Sequence, residues 1–314
     1  MSILLRRRWM YAAAFLAAGF PLSSAAAQEA AARPHITGID HVRIYVSDLA
    51  KSSQFYSNLF GVRSGGSECD DKSVPCFIVG WRENQRIELV KAPASGTRNW
   101  LADIAFATDD VEHMRAYLVA HNQRATKISD DSFDGHQRIA YFKVDAPEDI
   151  PISFIQRFAS FVEDYKRVES QHAKILHAGF VVNDMAAENR FYRDLLGFRL
   201  YWQGGFKDDG LDWYEIQVPD GDNWIEYMLN IPANADHKEL GIQNHFSLGV
   251  KDIKSTAAYL RAHGITNFDG PEIGRDGKWS LDAYDPDGTR IEFMEFEPAQ
   301  KPCCHPYTAE HPKP

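Results

Sequence analysis

Positive charge is in deficit in this chain: Lys and Arg number 34 against 44 Asp and Glu, a net charge of −10. Nucleic-acid binding needs clustered cations to neutralise phosphates. No basic stripe appears, so nucleic acid is excluded as a partner. Long apolar runs are missing as well. The longest, over residues 9–20, is short for a bilayer span, and no other segment reaches spanning length. Compositional bias is also absent, with 44% hydrophobic, 25% charged and 12% aromatic residues. That mixture excludes collagen-like, low-complexity and wholly disordered chains. Cysteine is sparse, with four residues in two places. Cys69 and Cys76 flank a polar loop and can pair in an oxidising compartment. Cys303 and Cys304 are adjacent, beside His305 in a Pro-rich stretch. The peptide between them disfavours a mutual disulfide, and an exposed, flexible tail is expected over 299–314.

What is present starts with Arg6, Arg7 and Arg8, followed by the apolar run and then by Ala25, Ala26 and Ala27. A charged start, a short greasy core and a small-residue ending make a secretory signal peptide over 1–27. The paired arginines also admit a twin-arginine signal. Cleavage after Ala27 removes three arginines and leaves 287 residues at a net charge of −13. The expected product is soluble, acidic and exported, periplasmic or secreted, with no membrane attachment after cleavage.

An internal repeat organises the remainder. The stretch IDHVRIYVSDLAKSSQFYSNLFG from Ile39 matches ILHAGFVVNDMAAENRFYRDLLG from Ile175. Degenerate copies begin at Ala102 and Asn244. Each unit opens with a short alternating strand-type run, followed by an aspartate (Asp48, Asp110, Asp184 or Asp252) placed to cap a helix. Apolar residues then recur at helical spacing, as at Val111, Met114 and Leu118. Gly61, Gly197 and Gly264 stand where a helix must stop. Several short strand-type runs broken by Gly, Asp and Pro come next, so each unit is expected to be βαβββ. The expected fold class is α+β, with four such modules paired into two domains at 36–158 and 173–298. A charged connector over 159–172 joins them.

The last strand of each unit carries a second polar residue: Glu88, Ser153, Glu226 and Glu292. They follow His41, Asp103, His177 and His245 by 47, 50, 49 and 47 residues. In the second domain all four equivalent positions, His177, Glu226, His245 and Glu292, can ligate a metal. Alternation sets Gly179, Ser247 and Gly249 beside the histidines, leaving room for a ligand. A carboxylate on a partly apolar face needs a partner or a cation. This mixed nitrogen and oxygen set suits one divalent Zn, Ni, Co, Mn or Fe(II) ion. Trp202, Phe206, Trp213, Tyr214 and Trp279 are candidate pocket-lining aromatics. The first domain has Ser153 in place of the final Glu and Arg43 where the second has Gly179. It is expected to be a degenerate, metal-free partner whose Arg43 pairs with Glu88 or Asp103.

The stretches DHVRIYVSDLAKSSQFY, LHAGFVVNDMAAENRFYRDLLGF, NHFSLGV and DPDGTRIEF resemble the vicinal oxygen chelate superfamily: glyoxalase I, bleomycin-resistance proteins, methylmalonyl-CoA epimerase and type I extradiol dioxygenases. The resemblance covers about 36–298. It implies paired βαβββ modules cupped around a divalent metal, with ligands at His177, Glu226, His245 and Glu292. It further implies a small-molecule substrate and a monomer or homodimer. With four protein ligands, the expected chemistry is a lyase or isomerase step through a metal-bound enediolate, with Glu292 or Glu226 as base. An Fe(II) extradiol-type dioxygenase is the alternative if Glu226 stands aside, although the His and Tyr pattern of those enzymes is missing from GKWSLDAYDPDG. A non-catalytic ligand-binding, resistance-type protein is the second alternative.

Overall fold

The repeat predicts helices entered through aspartates. The computed structural model describes residues 32–61, 74–79, 85–97, 99–133, 137–148, 150–158 and 174–314 and shows each of these caps. Asp48 accepts from the Ala50 and Lys51 amides at 2.9 and 3.1 Å, opening α1 (Leu49–Phe60). Asp110 takes the His113 amide at 3.0 Å before α2 (Val111–Ala120). Asp184 takes that of Ala187 at 2.9 Å before α3 (Met185–Glu188), which continues as a π-helix over Asn189–Leu195. An additional short helix, α4 (His237–Gln243), precedes the fourth unit. There Asp252 caps α5 (Ile253–Ala262) through the Ser255 amide at 2.6 Å. A cap of this kind contributes about 1 kcal/mol. After three of these helices the chain turns left-handed at Gly61, Gly197 and Gly264. The second unit uses Asn122 at φ 62°, a residue that also tolerates this region.

The first sheet contains β1 (Ile36–Val46), β2 (Cys76–Val79), β3 (Gln85–Lys91), β4 (Leu101–Thr108), β5 (Ser129–Phe133), β6 (Gln137–Val144) and β7 (Ile152–Arg157), in the order β2-β3-β1-β4-β7-β6-β5. The second contains β8 (Lys174–Val181), β9 (Arg199–Gly204), β10 (Trp213–Gln217), β11 (Trp224–Met228), β12 (His245–Val250), β13 (Phe268–Ile273), β14 (Trp279–Tyr284) and β15 (Arg290–Glu295), in the order β13-β14-β15-β12-β8-β11-β10-β9. At the centre of each sheet the opening strands of two consecutive units run antiparallel, β1 with β4 and β8 with β12. Each opening strand also pairs in parallel with the last strand of its own unit. The α+β reading therefore holds, and the modules pair within one chain. The expected signal peptide over 1–27 and the expected connector over 159–172 lie outside the described residues.

Apolar residues from both sheets join one core. Phe106 of β4 packs edge-on to Phe198 at 5.4 Å and Tyr192 at 6.4 Å. Two buried amides tie the sheets reciprocally. Gln85 donates to the Ile39 carbonyl and accepts the Ile175 amide, while Asn223 accepts the Ile39 amide and donates to the Ile175 carbonyl.

The C-terminal segment departs from expectation. Rather than extending freely, residues 299–314 dock on the second sheet. The Trp202 indole donates to the His305 carbonyl at 3.0 Å, the Thr308 amide to the Tyr201 carbonyl at 2.9 Å, and the Tyr307 hydroxyl to Asp276 at 3.1 Å. The physical reason is the buried Lys278, whose ammonium lies 4.9–5.5 Å from the rings of Trp224, Tyr201 and Tyr307. Tyr307 completes that aromatic enclosure. Cys303 and Cys304 are disulfide-bonded to each other, contrary to the expectation. Cys76 is also disulfide-bonded, and Cys69, its expected partner, lies outside the described residues.

Candidate metal centre

The four central strands of the second sheet carry the expected donors in two rows. One row is Glu226 on β11, Gly179 on β8 and His245 on β12. The other is Glu292 on β15, Ser247 on β12 and His177 on β8. A small residue thus separates carboxylate from imidazole in each row, and the rows are related by an approximate two-fold. Gly179 is required by close approach: a Cβ there would lie 2.0 Å from His245 Cε1.

The two Nε2 atoms are 3.0 Å apart. Glu292 Oε2 lies 3.1 Å from His177 Nε2 and 3.8 Å from His245 Nε2, and Glu226 Oε2 lies 3.2 Å from His245 Nε2 and 3.7 Å from His177 Nε2. Bonds of about 2.1 Å to one ion set neighbouring donors about 3.0–3.4 Å apart; His177, Glu226 and His245 offer ligand atoms within 4.8 Å of one another, and Glu292 meets both imidazoles at 3.1 and 3.8 Å. Charge points the same way, because two carboxylates facing two buried imidazoles are costly without a cation. The His245 Nδ1–H donates to the Gln243 carbonyl at 3.0 Å, which leaves the Nε2 lone pair facing the centre. Burial, with the Arg290 and His177 charges, holds His245 well below the usual imidazole range, in the neutral form a metal needs. Burial alone would raise Glu292, but the His177 hydrogen bond and charge overcome it and hold the carboxyl below its ordinary value.

A cavity of about 390 Å³ opens beside Glu226 and Glu292. Three of the five expected aromatics, Trp202, Phe206 and Trp213, line it. Tyr214 faces the core and stacks on Tyr227 at 5.8 Å, and Trp279 lies under the Lys254 ammonium. Of the charged wall residues that escape a reading by repeats, three stand beside the donors in the sheet. Glu215 stands across β10–β11 from Glu226, Asp282 across β14–β15 from Glu292, and Arg290 two residues before Glu292. Burial, reinforced by Glu226, pushes Glu215 well above the carboxylate range. Burial raises Asp282 to about 6 despite Arg290. The signal that could have found both acids is the turn: reflecting each ligand through VPDGDN or DPDGT lands on its hairpin partner.

In the first sheet two pairs form at the equivalent positions, while His41 Nε2, Glu88 Oε1 and Asp103 Oδ1 have no hydrogen-bond partner among the described residues. Arg43 Nε donates to Glu88 at 2.5 Å, Ser153 to Asp103 at 2.7 Å, and His41 Nδ1 contacts Asp40 at 2.8 Å. His41 Nε2 is 3.9 Å from Asp103.

Comparison with known proteins agrees with this architecture. The model of the family described as Glyoxalase/Bleomycin resistance protein/Dioxygenase superfamily matches residues 38–154 and 174–293. A lactoylglutathione lyase of Haemophilus influenzae is 32% identical over 125 residues, 39% of this chain and 92% of that protein. A probable chloroplastic lactoylglutathione lyase of Arabidopsis thaliana is 26% identical over 141 residues, 44% of this chain and 40% of that protein. Among solved structures, a variant of homoprotocatechuate 2,3-dioxygenase from B. fuscum superposes with a TM-score of 0.63 at 18% identity, covering 88% of this chain and 74% of the other. The enzyme from Arthrobacter globiformis gives a TM-score of 0.60 at 19% identity over 84% and 80% of the two chains. At such identities the likeness is one of fold. With two matched copies over most of its length, the chain belongs to the Glyoxalase/Bleomycin resistance protein/Dioxygenase superfamily.

Proposed function

We propose that the chain is a metal-dependent, glyoxalase-like enzyme of the lyase or isomerase type. It acts on a small oxygen-rich substrate in the cup of the second sheet, with one divalent ion held by His177, Glu226, His245 and Glu292. The observation that carries this reading is the position of Glu226. Its carboxylate lies as near the histidine pair as that of Glu292, 3.2 against 3.1 Å. Four donors leave fewer open positions than the two-histidine, one-carboxylate set that suits dioxygen chemistry. A divalent ion bound there supplies Lewis acidity to a carbonyl oxygen. The chain does the rest. Glu226 or Glu292 takes the proton from carbon beside that carbonyl and returns it to the neighbouring position. The amino-terminal segment supports export, to the periplasm or outside the cell. There a cytosolic pool of glutathione is not met, which favours a substrate other than a glutathione adduct.

Elemental analysis of protein from its own compartment should give one divalent ion per chain, with less in Glu226→Gln. Metal-loaded protein, screened against hydroxycarbonyl compounds in deuterated water, should incorporate deuterium beside the carbonyl. Oxygen uptake with catechols after anaerobic Fe(II) loading, lost in Glu292→Ala, would establish the dioxygenase instead. Metal binding with no turnover across the screen would favour the ligand-binding alternative.

A further inference from the structure

Arg290 breaks the two-fold symmetry of the centre. Its counterpart is Trp224, since each stands two residues before a carboxylate donor and each lies against a histidine. Trp224 packs on His177 with ring centroids 4.8 Å apart. Arg290 Nη2 lies 2.9 Å from Nδ1 and 2.7 Å from Nε2 of His245. Because the His245 Nδ1–H is given to the Gln243 carbonyl, this amino group has only the Nε2 lone pair to donate to, and it loses that acceptor when an ion takes the lone pair. The rest of the guanidinium is under-used. Nη1 is 3.6 Å from Asp282, beyond hydrogen-bond reach, and the buried Nε has no hydrogen-bond partner among the described residues. A largely buried cation with idle donors costs free energy, and a divalent ion in the neighbouring donor set adds like-charge repulsion. An anion between the two offsets both. Arg275, the other cation on the cavity wall, is engaged by Asp208 at 2.5 Å and by the Gly205 carbonyl at 3.1 Å. Elsewhere the wall carries Asp212, Glu215, Glu272 and Asp276, which disfavour a carboxylate.

We propose that Arg290 recognises an anionic oxygen of the substrate beside its chelating oxygens, so that the substrate is a small 2-oxo or 2-hydroxy carboxylic acid whose apolar end lies toward Trp202, Trp213 and Met228. This inference rests on the metal reading above.

The test uses the full chain loaded with Co(II), whose visible spectrum reports ligand binding. The probes are oxalate, an anionic chelator, and oxamide, its neutral counterpart. Arg290→Gln should weaken oxalate binding by about 10–100-fold, the value of one charge-assisted hydrogen bond. Arg290→Lys should restore part of this loss, while oxamide affinity and cobalt content stay as in the wild type. Equal changes for both probes, or unchanged oxalate affinity in a fully loaded Arg290→Gln variant, would overturn the proposal. Failure of the wild-type chain to take up cobalt would overturn the metal reading, and this inference with it, so metal content tells the two failures apart.

Discussion

Gly179 supports the centre as directly as a ligand does. A methyl group at this position would meet the His245 ring at 2.0 Å, and the ring cannot retreat, because its Nδ1 is held by the Gln243 carbonyl. Gly179→Ala should therefore keep the fold but lose about 10–100-fold in metal affinity, the range seen when the support of a ligand is removed. Competition with a chromophoric chelator, beside a circular dichroism spectrum, checks both halves. Glu188 on α3 is a second residue with a readable consequence. It is wholly buried, accepts the Glu148 amide at 2.9 Å through Oε1, and leaves Oε2 without a hydrogen-bond partner among the described residues. Burial pushes its carboxyl up to about 8. The folded state thus keeps a proton that the unfolded state loses near 4.5, so this contribution to stability is complete below that pH and fades as pH rises to 8. About 2–4 kcal/mol should be lost across that window. In calorimetry, Glu188→Gln should melt above the wild type at pH 8 and close to it at pH 5.

At the scale of elements, legibility followed local rules. The capping aspartates and the turn glycines announce each helix because their chemistry is satisfied within a few residues. The convergence of the four candidate donors was legible because the repeat places them at equivalent positions. Glu215 and Asp282 were not, because their place in the cup depends on hairpin register rather than on repeat spacing. Arg290 was hidden for another reason: it occupies a position that holds Trp224 in the sister unit, so the repeat offers no hint of a charge there. The tail was illegible too. It has no apolar periodicity, and it docks through single aromatic contacts such as Tyr307 on Tyr201 at 4.9 Å. Such contacts are specified by the enclosure of Lys278, which the sequence shows only as one more surface-type residue.

At the scale of the molecule, two like sheets have divided their work. The second gathers two histidines and two carboxylates around a point, while the first spends the equivalent positions on Arg43–Glu88 and Ser153–Asp103 pairs. The expected stoichiometry is one metal per chain, unchanged in His41→Ala. Two ions falling to one in that variant, by mass spectrometry with elemental analysis, would show a working site in the first sheet. The pairing of β8 with β12 inside one polypeptide also reaches into genetics. Since His177 and His245 must come from the same copy of the gene, an allele lacking one cannot be rescued by an allele lacking the other. Co-expressing His177→Ala with His245→Ala should leave every cup with a missing imidazole. A centre shared between subunits would instead regain intact sites by reassortment, so failure to complement is the genetic signature of modules that pair within the chain.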